Sequence, residues 1–200
     1  MSRKYAIIVA GGSGTRMKSA IPKQFLQLKG VPVLMHTLNA FHHYDQDINI
    51  ILVLPEGQIT YWSDLVKKRR YLVQHQVVKG GSTRFQSVRN GLDAVREDGL
   101  VAVHDGVRPL VSSAIIDNAY RSAAATGAAI TVVGLKDSIR VKDNSGTKAV
   151  DRSQYLLVQT PQTFQVKELK KMYEQEESSL FTDDASVYES GGGSVTLVEG

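Results

Sequence analysis

Ala10-Gly11-Gly12-Ser13-Gly14-Thr15-Arg16-Met17 follows a short apolar run and leads into Pro22-Lys23-Gln24-Phe25. Glycines at a strand end let backbone N–H groups approach an anion closely, and Arg16 and Lys23 add fixed positive charge beside them. That is the chemistry of a phosphate cradle, with Gly11, Gly12 and Gly14 as its backbone candidates. It is not a P-loop, which needs Gly-Lys-Ser/Thr after a longer spacing; Arg16-Met17 stand there instead. Nor is it the dinucleotide fingerprint: Met17 holds the place of the third glycine, and no acidic residue ends the next strand at the required distance. The glycines alone would be an ordinary turn; the two cations give the turn its chemistry.

Three further clusters carry polar chemistry. In Val103-His104-Asp105-Gly106-Val107-Arg108-Pro109, a carboxylate stands just past an apolar run. Mg²⁺ takes one or two carboxylates together with substrate phosphate oxygens, so Asp105 is a candidate metal ligand. Arg108 could hold a phosphate through its fork of donors. The plainer reading is a turn in which Arg108 pairs with Asp105. His104 should face the opposite side of its strand and so be structural. Gly80-Gly81-Ser82-Thr83-Arg84, with Ser87 one helical turn on, places a glycine pair at a helix N-terminus, where free N–H groups suit a base or phosphate edge. Arg152, after Val150-Asp151, and Thr160, in Gln159-Thr160-Pro161-Gln162, could address a second phosphate, although composition alone favours a salt bridge and a turn there. The basic run 67–70 is a solvated, dipole-matched helix end rather than a nucleic-acid patch. His36, His42, His43 and His75 show no metal spacing.

These residues need elements to position them. Apolar runs at 6–10, 48–54 (INIILVL), 100–104 (LVAVH) and 128–133 (AAITVV) read as strands buried on both faces, and 71–78 as a more polar one. Between them lie helical patterns at 33–41, 59–68, 82–95 and 112–125, two of which open on Ser or Thr caps. The repetition predicts an α/β fold: a three-layer, Rossmann-like sandwich with ligands at the carboxyl ends of the strands. Residues 136–152 alternate and turn at Asp143-Asn144-Ser145-Gly146, a β-hairpin with too few apolar residues for its own core. It must lie on something else, such as another subunit. A charged helix over 167–177, a short helix capped at 182–184 and a last strand at 194–198 complete the chain.

The 200 residues suit a single domain, 1–200, and composition bounds its class. Hydrophobic residues are 42% and charged residues 22%, which excludes a disordered tail or a fibre. The net charge of +4 favours anionic partners without selecting nucleic acid over small phosphates. No cysteine is present, which removes thiol nucleophiles and disulfides and fits a reducing cytoplasm. No run is long enough for a membrane helix, and no export signal opens the chain. A soluble, cytoplasmic protein is expected.

The strings AGGSGTRM, PKQF, GGSTRFQSV, HDGVRP, VDR, TPQTF, TDDAS and LVEG occur in one order across nearly the whole chain. On these the chain resembles the bacterial 2-C-methyl-D-erythritol 4-phosphate cytidylyltransferases of the non-mevalonate isoprenoid pathway. The resemblance implies a nucleotidyltransferase that joins CTP to a sugar-alcohol phosphate and releases pyrophosphate. It implies that Arg16 and Lys23 stabilise the transition state, and that Ala10, Gly11, Gly81, Ser82 and Ser87 hold the cytosine nucleotide, with Gly12, Gly14 and Arg84 beside them. Asp105 would lie by Mg²⁺ and substrate. Family dimers exchange the hairpin arm, so Arg152 and Ser138 would reach the neighbour's acceptor phosphate, with Thr160 and Arg108 at that site. Ser138 stands where a threonine is familiar, which keeps a hydroxyl. The family continues past LVEG into a segment carrying a lysine, so a C-terminal segment is expected to be missing after Gly200. Neighbouring readings are a ribitol-5-phosphate cytidylyltransferase and a catalytically impaired nucleotide-binding homologue. The reaction would be in-line attack by a phosphate oxygen on the α-phosphorus of CTP. That nucleophile is already an anion, so positioning and charge neutralisation matter more than a general base.

Overall fold

The computed structural model describes residues 2–11 and 21–200. The first apolar run forms β1 (Lys4–Val9), buried from Tyr5 to Ile8. A 3-10 turn at Lys23–Phe25 leads to the two-residue strands β2 (Gln27–Leu28) and β3 (Val31–Pro32), and then to α1 (Val33–Tyr44). There follow β4 (Asn49–Leu54), α2 (Glu56–Arg69), β5 (Gln76–Lys79), α3 (Arg84–Asp93), β6 (Leu100–Asp105), α4 (Ser113–Thr126) and β7 (Ala128–Gly134). The hairpin of β8 (Ile139–Asp143) and β9 (Gly146–Val150) comes next, then β10 (Leu156–Gln165), α5 (Val166–Met172), α6 (Asp184–Ser190) and β11 (Thr196–Glu199). The expected caps form: Thr83 and Ser112 accept from the N–H groups of Gln86 and Ile115, and Asp183 makes a reciprocal capping box with Ser186.

Seven strands make one sheet in the order β11-β7-β10-β6-β1-β4-β5. Successive side chains of each strand enter opposite layers. Ile7, Val53 and Val103 meet Phe85, Val88 and Leu92 of α3, with Leu169 of α5 and Val187 of α6 in the same cluster. Ala6, Ile8, Leu52 and Ala102 meet Leu34, Leu38 and Phe41 of α1, Trp62 of α2 and Ile116 of α4. The strands are buried on both faces because helices cover both, and the three-layer α/β expectation holds. Among the described residues, no helix is long and apolar enough to cross a membrane.

The structure adds one strand that the sequence pattern does not mark and corrects two local expectations. The sheet is mixed, because β10 runs antiparallel between β6 and β7. Sequence patterning did not mark Leu156–Gln165 as a strand: its first half is exposed, its buried half contains Gln162 and Thr163, and Pro161 sits at its centre. A register irregularity between Val158 and Gln162 accommodates the proline, as at a bulge. The strand expected over 71–78 pairs with β4 only from Gln76. Upstream, Tyr71 and His75 pack their rings against Trp62, and the Tyr71 hydroxyl donates to Asn39 Oδ1 at 2.8 Å, which draws the segment onto the helices. The helix expected over 167–177 stops at Met172, where the Gln175 amide donates to the carbonyls of Met172 and Val187.

Candidate active site

The carboxyl ends of β1 and β6 open into a cavity of about 440 Å³, walled by Gly11, Lys23, Gly81, Ser82, Arg84, Ser87 and Asp105 among others. This is the edge at which open α/β sheets bind ligands. The Gly106 N–H donates to Val9 O at 2.8 Å, which holds the ends of β6 and β1 side by side, and the Ala10 N–H donates to Val53 O of β4 on the other side. A Cβ on Gly106 would lie 2.9 Å from that of Ala10 and 3.0 Å from Leu34 Cδ1, so glycine is required for this approach.

Lys23 reaches the cavity from its 3-10 turn. The next residue, Gln24, is fully buried; its amide donates to Ala10 O at 2.9 Å and to Gln58 Oε1 at 2.6 Å. Gln24 therefore fastens the Lys23 turn to the end of β1, a part that the sequence reading had not assigned. Gly12, Gly14 and Arg16 lie outside the described residues.

On the opposite wall, the N–H groups of Gly80, Gly81 and Ser82, expected to be free, already have partners: that of Gly80 donates to Leu54 O. The Gly81 N–H donates to Ser87 Oγ at 3.1 Å, while the Ser82 N–H and hydroxyl both donate to Gln86 Oε1. The donors of the turn that leads into α3 are thus taken up by side chains of the helix's first turn, Gln86 and Ser87. Ser87 in turn donates to Thr83 O at 2.8 Å. The loop is a folded, internally bonded wall, and a Cβ on Gly81 would stand 2.2 Å from Gln86 Cβ.

Asp105 and Arg108 form the ion pair of the plainer reading, Nε to Oδ2 at 2.8 Å, yet both border open space. The Asp105 N–H donates to Thr160 Oγ1 at 3.2 Å, which brings Thr160 of β10 beside it. Asp105, Arg108 and Thr160 share a second cavity of about 240 Å³ adjoining the first. His104 behaves as expected of a structural residue. It is fully buried, its Nε2–H donates to Arg108 O at 3.0 Å, and its ring meets Phe41 edge-on. Burial lowers its pKa to about 4, so it is neutral near pH 7.

Ser138 and Arg152 are exposed at the base of the hairpin, Arg152 donates to Lys136 O, and neither lines the cavities of its own chain. Arg84 lines both cavities, but its guanidinium is engaged by Asp184, a residue that sequence reasoning did not single out. The adjacent pair Asp183-Asp184 was the available signal: one carboxylate caps α6, so the other needs a different partner.

The model of one family, described as IspD: 2-C-methyl-D-erythritol 4-phosphate cytidylyltransferase, matches residues 5–200. A protein of Azobacteroides pseudotrichonymphae bearing that enzyme name is 53% identical over 191 residues, covering 96% of this chain and 86% of the relative. One of Bacteroides thetaiotaomicron with the same name is 50% identical over 198 residues, covering 99% and 90%. The crystal structure of a 4-diphosphocytidyl-2C-methyl-D-erythritol synthase from Anaerococcus prevotii superposes with a TM-score of 0.84 at 30% identity, covering 100% of this chain and 87% of that one.

Proposed function

The chain belongs to the 2-C-methyl-D-erythritol 4-phosphate cytidylyltransferase family, and from that membership we infer the reaction of its cleft. It transfers CMP from CTP to 2-C-methyl-D-erythritol 4-phosphate, releasing pyrophosphate and forming 4-diphosphocytidyl-2-C-methyl-D-erythritol. The observation that carries this reading is the pair of adjoining cavities, one bordered by Lys23 and the Gly81–Ser82 wall, the other by Arg108 and Thr160, with Asp105 common to both. A nucleotide and an acceptor phosphate need two such subsites with a shared boundary.

In this reading the CTP phosphates lie against Gly11, Lys23 and Arg16, and the cytidine end against Ala10, Gly81, Ser82 and Ser87. Two anions must meet, and negative charge grows on the α-phosphoryl oxygens as the acceptor oxygen attacks in line. Lys23 and Arg16 offset that charge where it develops, which is the kind of contribution that raises turnover rather than affinity. No general base is required, and the neutral, inward-facing His104 takes no part in the reaction. A divalent cation, Mg²⁺ or another, would serve this reaction by screening its phosphates. Among the described residues no group of three or more His, Cys, Asp or Glu could hold a metal alone. Asp105 is the one carboxylate among the described residues lining the larger cavity, and a single carboxylate suits an ion that keeps its waters and arrives with phosphate oxygens. Asp105 would hold it, and when bound it would screen the triphosphate and polarise the reacting phosphoryl group. The exposed hairpin over 136–152 serves as the arm of a homodimer and offers Arg152 and Ser138 to the partner's acceptor phosphate. Tyr155 to Val158, four consecutive half-exposed apolar residues at its base, are the kind of surface a second subunit covers.

The test is pyrophosphate release with Mg²⁺ and CTP, offering methylerythritol phosphate and ribitol 5-phosphate separately. Turnover is expected with the first; turnover with ribitol phosphate alone overturns the acceptor assignment. Lys23→Ala should lower turnover by at least about a hundredfold while CTP binding falls less. Near-normal turnover removes Lys23 from its role.

A further inference from the structure

Asp184 is completely buried, and an ionised carboxylate in that position must be paired. Its partners are unusually complete. Oδ1 accepts from Arg84 Nη1 at 3.0 Å and from the Tyr173 hydroxyl at 2.6 Å; Oδ2 accepts from Arg84 Nη2 at 2.6 Å. The two residues of the ion pair are 100 positions apart in the chain. Arg84 is the first residue of α3, separated from the Gly81–Ser82 wall only by the N-cap Thr83, and about a third of its side chain remains exposed. The exposed part borders open space on two sides, since Arg84 and Asp105 are the two residues common to the larger and the smaller cavity.

A second tether connects the same corner to the acceptor side. Gln162 of β10, two residues after Thr160, donates to Asp183 Oδ2 at 2.9 Å and accepts from the Ala185 N–H at 2.9 Å. The start of α6 is thus bonded to the strand bearing Thr160 and, through Asp184, to the helix that follows the nucleotide wall. Burial works against the Arg84 charge, but the Asp184 carboxylate more than offsets it and raises the guanidinium pKa. Burial, with Asp184 beside it, raises the Tyr173 pKa as well, so the hydroxyl stays a proton donor.

We propose that Asp184 is a positioning residue of this active site: it holds Arg84 by both terminal nitrogens at the seam between the nucleotide and acceptor cavities, so that the remaining guanidinium donors face the CTP phosphates. The proposal rests on the cytidylyltransferase reading of the cleft. A free arginine would lose its rotamer freedom at each binding event, whereas a guanidinium held in advance loses it once, on folding. A bidentate Arg–carboxylate pair also fixes the plane of the fork, which a lysine cannot reproduce.

The test is CTP affinity by calorimetry in Mg²⁺ buffer, at a temperature where each variant is fully folded by circular dichroism, for the whole chain, D184N, R84K and the double variant. Ile116→Ala, in the helix layer on the far side of the sheet, supplies a variant weakened in stability alone. Each single variant should raise the CTP Kd about tenfold or more, the double variant should be no worse than the weaker single, and Ile116→Ala should lower Tm with Kd unchanged. A folded D184N with a Kd within twofold of the parent overturns the proposal and leaves Asp184 a purely structural residue. If D184N does not fold, R84K decides: unchanged affinity overturns the proposal, and a tenfold loss supports it. Failure of the function itself reads differently. A parent protein that binds CTP yet releases no pyrophosphate with methylerythritol phosphate loses the assigned reaction, while the Kd series still judges Asp184. A parent that does not bind CTP removes both.

Discussion

His104 and Asp105 are adjacent in sequence and opposite in environment. One is sealed against Phe41 and the other borders the cleft, because neighbouring residues of a strand point to opposite faces. The contrast has a measurable consequence. The His104 pKa falls from 6.5 to about 4 through burial, so the unfolded chain binds the extra proton first. Stability from this group is complete above about pH 6.5 and is lost as pH falls toward 4, by on the order of 3 kcal/mol over the window. His104→Gln keeps a donor for Arg108 O and removes the titration. Urea unfolding between pH 7 and pH 4 should therefore show a shallower loss for the variant than for the parent, and parallel curves would exclude this role. At the same scale, the candidate residues around Gly11, Lys23, Gly81 and Asp105 were legible because glycine-rich turns and isolated charges at strand ends are unusual locally. Gln24 was not, since a buried glutamine is recognised only once its partners, Ala10 O and Gln58, are known.

At the scale of elements, α3 matters most to the site, since it follows the Gly81–Ser82 wall of the larger cavity and lies on β1 and β4 farther along. Gly91 permits that closeness: a Cβ there would stand 2.8 Å from Ile7 Cγ2 and 3.1 Å from Val53 Cγ2, both on fully buried residues with no room to retreat. Gly91→Ala would gain about 1 kcal/mol of helix propensity. Overpacking a filled core costs about 1–3 kcal/mol, so the packing term should win and the variant should unfold at lower urea. A rise in the CTP KM should accompany it as α3 is pushed off the sheet; a variant more stable than the parent would contradict the argument. The helices and parallel strands were readable because their patterns are repetitive and local. β10 was hidden because its burial is secured by specific bonds from Gln162 rather than by apolar side chains, so it carries polar residues where a strand pattern expects hydrophobic ones.

At the scale of the molecule, the hairpin over 136–152 stands apart from the seven-stranded sheet. Its strands pair with each other, and its side chains are largely exposed. In the proposed homodimer Arg152→Ala should chiefly raise the KM for the acceptor. Mixing it with Lys23→Ala subunits should restore active sites in hybrids, in which one cleft combines an intact Lys23 with a partner's intact arm; absence of such recovery in verified mixed dimers would rule out the shared site. The sequence by itself determined the α/β alternation, the hairpin, the glycine turn at 80–81 and the family, because each is written in short-range patterns of residue type. Only the tertiary structure decided that β10 enters the middle of the sheet, that the N–H groups of Gly81 and Ser82 are taken up by side chains of α3, and that Asp184 holds Arg84 from 100 residues away. Those pairings depend on which surfaces and polar groups remain after every other element has packed, and no local stretch of residues contains that information.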